Sequence, residues 1–205
     1  MNTPGLARAA ASYPAAPGFA AFSALANAMA KPTSQPPPAN LEDDASAEPH
    51  LTGLDTQFIA AMDARNSGRT DQAVDLFTKI LIREPRLAEP RIELGAMRLE
   101  MGQIDEAEEQ AREAVRILEN GGQWTEDVPE NVLQAMAWAL LGSVLKERAA
   151  SDEVVFGDPA HFRDLLEQSR IAFAKAAELD PEDSASKINA DELGDKNDDP
   201  VPDDA

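Results

Sequence analysis

The amino-acid sequence predicts an all-α fold in which pairs of antiparallel helices stack on one another. Small and apolar residues recur with a period of 34 residues, and glycines fall where helices would end or approach each other closely. Prolines stand where the second helix of a pair would stop. Similarity at a fixed period of this length is the signature of repeats that bury their apolar faces on their neighbours. The pattern therefore predicts an α-solenoid.

The repeat is visible when the sequence is shifted against itself by 34 positions. Seven small or apolar positions of a first unit are Ala60, Ala61, Gly68, Ala73, Phe77, Ile80 and Pro85. Their counterparts one period later are Leu94, Gly95, Gly102, Ala107, Ala111, Ala114 and Glu119. A third unit carries the corresponding residues Trp138, Leu141, Gly142, Phe173, Ala176 and Pro181. The sequence therefore predicts three units.

The glycines have separate physical roles in this pattern. Gly95 and Gly142 fall in the middle of predicted helices, where glycine costs about 0.5–1 kcal/mol relative to alanine. Their presence predicts that another helix approaches closely there. Gly68 and Gly102 fall where the first helix of a unit ends, as expected for a left-handed turn.

The 34-residue period and the W-x-x-L-G spacing at Trp138 resemble the tetratricopeptide repeat family. The alternative is an ordinary antiparallel bundle with a similar glycine and alanine rhythm. The resemblance covers residues 51–181 and implies a right-handed α-solenoid of three helix-turn-helix units. The predicted units are 54–87, 88–121 and 129–181, with insertions near 122–134 and 149–163.

Both flanking segments differ from the repeats in composition. Residues 1–50 are rich in alanine and proline and predict a disordered arm, within which residues 18–31 could form a short helix. We hypothesise that this helix binds a partner or covers the chain's own groove or repeat end; the alternative is a simple disordered arm. Residues 182–205 are acidic with few apolar residues and predict a disordered tail.

The charge and cysteine content exclude several classes of function. With 18 basic and 38 acidic side chains, the net charge of -20 disfavours a nucleic-acid partner. There is no cysteine, so disulfides and thiolate metal sites are absent.

No apolar run is long enough to predict a membrane span. Residues 17–30 resemble an export signal only weakly, because proline and glycine interrupt them, and we predict a cytoplasmic protein with export as the alternative.

The sequence contains little that could support catalysis. Its two histidines, His50 and His161, lie in a predicted linker and a predicted insertion. Although Asp158 and Asp164 lie near His161, solvated loop side chains are the simpler interpretation. Residues 195–200 resemble the start of a calcium loop, but Pro200 stands where that loop needs glycine. We predict that the protein is not an enzyme and has no cofactor or metal.

The family resemblance implies a concave groove that is lined by the first helix of each unit and binds a peptide. The predicted partner-binding residues are Phe58, Ile59, Met62, Arg65, Ile92, Glu93, Leu99, Met136, Leu140 and Lys146. The places that hold a carboxylate clamp in heat-shock cochaperones carry no cation here: they are Phe58, Met62, Glu93, Met136 and Leu140. The expected ligand is therefore an apolar or amphipathic segment flanked by Lys or Arg. The alternative is that Phe58, Ile59, Ile92 and Leu140 belong to the core between repeats.

Two functions follow from the resemblance. The first is a protein-protein interaction adaptor or scaffold. The alternative is a chaperone of the same repeat type that masks an apolar segment of a secreted or assembly substrate.

Overall fold

The computed structural model describes residues 53–121 and 128–197. Within these residues the chain forms eight helices, α1 to α8 in chain order: Leu54–Asn66, Thr70–Arg83, Ala88–Glu100, Ile104–Glu119, Glu130–Ala149, Asp152–Val155, Pro159–Leu179 and Ser184–Asn197. Outside the described residues lie the predicted arm 1–50 with its short helix 18–31, residues 122–127 of the first insertion, and residues 198–205 of the tail.

The helices pair in the order that the repeat predicts. Helix α1 packs on α2, α3 on α4, and α5 on α7, and successive pairs are joined by contacts of α2 with α3 and of α4 with α5. This arrangement confirms the predicted all-α solenoid of three helix-turn-helix units. None of the described helices combines the length and the apolar character that crossing a membrane requires.

The turns inside the first two units have the left-handed backbone conformation that we predicted at their glycines. Gly68 and Gly102 adopt φ angles of 70° and 72°, in the left-handed region that L side chains rarely adopt. In the first unit the N–H of Arg69 donates to the carbonyl oxygen of Ala64 at 2.8 Å, which closes the end of α1. The left-handed helix ends are therefore confirmed.

The two mid-helix glycines lie where helices approach closely. A Cβ atom at Gly95 would be 2.9 Å from Cδ2 of Leu140 on α5. A Cβ atom at Gly142 would be 3.0 Å from atoms of the Phe173 ring on α7. The distance at Gly95 is shorter than real Cβ contacts and that at Gly142 is at the short end of their range, so the absence of a side chain permits the observed packing. The predicted close approach is confirmed at both sites.

Each of the two predicted insertions lies partly within a helix. Helix α5 has 20 residues and α7 has 21, whereas α3 has 13 and α4 has 16. Helix α5 begins at Glu130, inside the predicted insertion 122–134, and α7 begins at Pro159, inside the predicted insertion 149–163. The short helix α6 occupies much of the remaining connection. Counting residues locates extra length but does not say whether it lengthens a loop or a helix.

The prediction that residues 182–205 are disordered is wrong for residues 184–197, which form α8 and pack against α7. Ser186 and Leu193 are buried and lie seven residues apart, on one helical face. At the start of α8, the carboxylate of Asp183 accepts hydrogen bonds from the N–H groups of Ala185 and Ser186, both at 3.1 Å. The tail has few apolar residues of its own, and α7 provides the surface against which they are buried.

Candidate functional site

The exposed part of the predicted groove lies on α1. The side chain of Ile59 is 61% exposed, whereas Phe58 and Met62, which precede and follow it on α1, are half-buried. The Phe58 ring packs edge-on against the buried Phe77 ring, with centroids 5.8 Å apart and an interplanar angle of 67°. Met62 packs against the same group of buried residues to which Phe77 belongs. We refer to Phe58, Ile59 and Met62 as the α1 face.

Arg65, one turn beyond the α1 face, joins α1 to α3. Its guanidinium pairs with the carboxylate of Glu93, and it also contacts Oε1 of Glu100 at 3.3 Å. The side chains of Arg65 and Glu93 are 14% and 9% exposed, so this pair is shielded from solvent. One cation thus faces two carboxylates, and the local charge remains negative.

Three predicted groove residues are buried. The exposed fractions of Ile92, Glu93 and Leu140 are 1%, 7% and 0%. Helix α3 packs against α2, α4 and α5, and the end of the Leu140 side chain lies where Gly95 leaves space. For Ile92 and Leu140 the core interpretation fits the structure, and their assignment to an accessible groove surface does not.

The remaining predicted residues lie on other helices. Leu99 on α3 and Met136 on α5 are half-buried. Lys146, near the end of α5, donates a hydrogen bond to Oδ1 of Asn189 on α8 at 2.7 Å. Lys146 therefore helps to hold α8 in place, which the sequence could not indicate while the tail was predicted to be disordered.

A cleft that the sequence did not predict lies between α4 and α7, with α5 as its floor. Its apolar part has a volume of about 310 Å³ and contains Val115, Trp138, Leu141, Leu145, Ile171 and Ala172. A polar part of about 490 Å³ contains Asp105, Glu108, Glu109, Arg148 and His161. Arg112 and Gln168 border both parts. Trp138 and Leu141 were visible in the sequence only as repeat positions, because periodicity does not show which crevices stay open.

Charged pairs surround this cleft. Arg148 contacts Asp105 at 2.6 Å and Glu108 at 2.5 Å, and its pKa is raised chiefly by the hydrogen bond to Asp105. Arg116 donates to both carboxylate oxygens of Glu113, at 2.7 and 2.6 Å. That hydrogen bonding is the main reason why the pKa of Glu113 lies below its ordinary value.

His161 is exposed at the polar part of the cleft. The two carboxylates near His161 in sequence, Asp158 and Asp164, form hydrogen bonds with other residues of α7. Asp158 accepts a hydrogen bond from the N–H of Ala160 at 2.9 Å, and Asp164 accepts one from the side-chain amide of Gln168 at 2.8 Å. Across residues 53–121 and 128–197, no group of three or more His, Asp or Glu side chains is placed to hold a metal ion.

Several solved structures share this fold at low sequence identity. The TPR domain of Arabidopsis OM64 has a TM-score of 0.53 and 14% identity, covering 70% of this chain and 96% of that one. The Sgt2 TPR domain from Aspergillus fumigatus has a TM-score of 0.53 and 18% identity, covering 75% and 89%. The first TPR domain of Spaghetti (RPAP3), solved with the HSP90 peptide SRMEEVD, has a TM-score of 0.52 and 12% identity, covering 70% and 91%.

The sequence by itself shows no such similarity. No protein-family model matches the chain, and no curated protein matches it. The similarity to known proteins is therefore one of fold.

Proposed function

We propose that this chain, whose described part has the fold of a tetratricopeptide repeat domain, is a non-catalytic adaptor that binds an apolar or amphipathic peptide segment through the α1 face. The observation that carries the proposal is the exposure of Ile59. Ile59 is a branched apolar side chain that is 61% exposed, beside Phe58 in sequence and three residues before Met62, and it offers a partner apolar area to bury.

The α1 face is built to adapt to a ligand. The contact with the buried Phe77 ring restricts the movement of Phe58, so this half-buried ring is a fixed part of the surface. Met62 is unbranched and can adopt several rotamers, which suits an irregular apolar surface. A helical ligand would present apolar residues spaced three and four apart to such a face.

Charge supports a ligand with basic flanks. Besides the ten residues named above, the family resemblance implies that Asp55, Glu89, Glu100 and Glu147 face the groove. With Glu93 they make five acids, against the two bases Arg65 and Lys146. Of the two bases, Arg65 is paired with Glu93 and Glu100, and Lys146 is bonded to Asn189. A peptide with Lys or Arg beside its apolar residues would therefore be attracted, and an acidic peptide would be repelled.

The same reasoning separates this chain from the peptide-bound neighbour. The RPAP3 domain was solved with SRMEEVD, a peptide with three acidic side chains. In this chain the residues at the clamp places are apolar or acidic, and two of them, Glu93 and Leu140, are buried. We expect no binding of SRMEEVD.

The test is selection of peptides from a displayed random library on the full-length chain. The expected sequences combine apolar residues at helical spacing with flanking Lys or Arg. Their binding should weaken at least about tenfold in Ile59→Asp, as for other buried contact residues, and as ionic strength rises. Enrichment of acidic peptides, or equal binding by Ile59→Asp, would overturn the proposal.

The matched control is Ile82→Asp. Ile82 lies on α2 and is 74% exposed, so this substitution places the same charge on another exposed isoleucine. It should leave peptide binding unchanged. Circular dichroism of both variants shows whether the helices are intact.

A further inference from the structure

The connection between α5 and α7 presents an exposed aromatic side chain. Phe156 is 83% exposed, more than any other large apolar side chain in the part of the chain that the structure describes. Val155 beside it is 51% exposed. Both belong to the segment that exceeds the 34-residue unit, so the repeat fold does not require them.

This segment is an ordered turn. The N–H of Val155 donates to the carbonyl oxygen of Ser151 at 2.9 Å, and the N–H of Phe156 donates to that of Asp152 at 3.0 Å. Val154 is buried, and α6 packs against α5 and α7. We refer to residues 152–158 as the Phe156 turn. Because its backbone is already fixed, binding through Phe156 costs little conformational entropy.

The apolar part of the α4/α7 cleft matches an aromatic side chain in size and character. At about 310 Å³ it can hold a phenylalanine side chain, and Trp138 and Leu141 form much of its floor. Ile171 at its edge is 51% exposed, so the cleft is open to an incoming group.

Charged side chains of opposite sign are present at the two surfaces. The Phe156 turn carries Asp152, Glu153 and Asp158. The rim of the cleft carries Arg112 and Arg116, whose side chains are 51% and 63% exposed, together with Glu119. Both arginines pair with carboxylates on α4, but a guanidinium has five N–H donors and can accept a further carboxylate.

The turn does not fill the cleft of its own chain. Phe156 precedes the first residue of α7, Pro159, whereas Ile171 lies 12 residues further along that helix. At 1.5 Å per residue the separation along α7 is roughly 18 Å. The high exposure of Phe156 agrees with this separation, so a Phe156 turn that enters this cleft must come from a second copy of the chain.

We propose that the chain self-associates by inserting the Phe156 turn of one copy into the α4/α7 cleft of a second copy. In a two-fold dimer each copy supplies one turn and one cleft, so the same contact forms twice and the assembly closes. Phe156 lies against Trp138 and Leu141, and the acidic residues of the turn pair with Arg112 and Arg116. This contact is separate from peptide binding at the α1 face.

The test is the oligomeric state of the full-length chain, measured by sedimentation velocity over a concentration series. We expect a reversible dimer that weakens as salt rises. Phe156→Ala should raise the dimer dissociation constant at least about tenfold, as for an aromatic residue at the centre of an interface. Ile82→Ala, which truncates a similarly exposed side chain on α2, is the control and should leave dimerisation unchanged. A chain that is monomeric at every concentration, or a dimer that Phe156→Ala does not weaken, overturns the proposal.

Charge reversal gives a second test. A variant with Asp152→Lys and Glu153→Lys, and a second with Arg112→Glu and Arg116→Glu, should each be mainly monomeric. Mixing the two should restore dimers that contain one copy of each, because both contacts then pair opposite charges. Failure of the mixture to dimerise, with both variants folded by circular dichroism, would exclude the assigned pairing.

Discussion

The ring of Phe173 lies so close to Gly142 that a Cβ atom at position 142 would be 3.0 Å from three of its carbon atoms. This contact joins α5 to α7, the two longest helices in the described part of the chain. Phe173 is 3% exposed, so its ring has little room to move. The packing of the third unit therefore depends on the absence of a side chain at position 142.

The first prediction is that Gly142→Ala destabilises the protein. Overpacking a core typically costs about 1–3 kcal/mol, whereas replacing glycine in a helix returns up to about 1 kcal/mol. The net loss should appear as a lower urea midpoint. In Gly194→Ala, the control on α8, the new Cβ atom would have Cδ of Arg170 at 3.8 Å as its nearest neighbour, so stability should be unchanged or higher. A Gly142→Ala protein as stable as the wild type would contradict this account of the glycine.

The second prediction concerns Ser169, which lies four residues before Phe173, as Ala73 lies four residues before Phe77 in the first unit. Its buried hydroxyl donates to the carbonyl oxygen of Gly142 at 2.7 Å, across the α5/α7 contact. Ser169→Ala should lower the free energy of unfolding by about 0.5–1.5 kcal/mol. Ser143→Ala removes a hydroxyl that bonds only within its own helix, to Ala139 at 2.9 Å, and should cost less. Equal losses in the two variants would show that the interhelical bond contributes nothing extra.

Local patterns were enough to predict the helix pairs. Gly68 and Gly102 end their helices with positive φ angles, as their spacing from the buried Ala73 and Ala107 indicated. Such features depend on residues that are close in sequence. The burial of Leu140 could not be predicted in the same way, because it depends on how closely α3 approaches α5 at Gly95.

The tail shows the limit of composition as a guide. Between residues 184 and 197 the only large apolar residues are Ile188 and Leu193, and Ile188 is 55% exposed. An isolated helix of this length and composition would be marginal in water. Helix α8 is stabilised because Leu193 packs against the preceding repeat. Amino-acid composition does not reveal a tertiary contact of this kind.

The third prediction tests that docking. Leu193→Ala should lower the free energy of unfolding by about 2–4 kcal/mol, within the range for buried leucines. Ile188→Ala, on the exposed side of the same helix, should change it by less than about 0.5 kcal/mol. Hydrogen exchange measured on both variants would show whether α8 opens locally. Similar small effects of the two substitutions would mean that Leu193 is not held against α7 in solution.

The fourth prediction concerns pH. The pKa of Glu113 is lowered from its ordinary value of 4.5, mainly by its hydrogen bond with Arg116, and further by the charges of Arg116 and Arg91. A lowered pKa means that the ionised carboxylate stabilises the fold above pH 4.5, and that this contribution is lost as the pH falls through the folded-state pKa. Glu113→Gln should therefore be less stable than the wild type at neutral pH, and the two should converge in acid. Arg116→Gln should flatten the acid dependence in the same way, whereas a constant offset between wild type and Glu113→Gln would argue against the pair.

The candidate binding surface was only partly predictable. The family resemblance assigned Phe58, Ile59 and Met62 to the groove together with Ile92 and Leu140. The structure leaves Ile59 exposed and buries Ile92 and Leu140. Helical spacing places all five on the first helices of their units, but it does not show how much of each helix its neighbours cover. The α4/α7 cleft was missed for the same reason.

The most direct test of the proposed function is hydrogen exchange of the full-length chain, with and without a selected peptide that has apolar residues and basic flanks. The account predicts added protection in α1, centred on the turn that contains Ile59, and no such protection in Ile59→Asp at the same peptide concentration. Protection confined to α4 and α7, with none in α1, would contradict it and place the peptide in the other cleft.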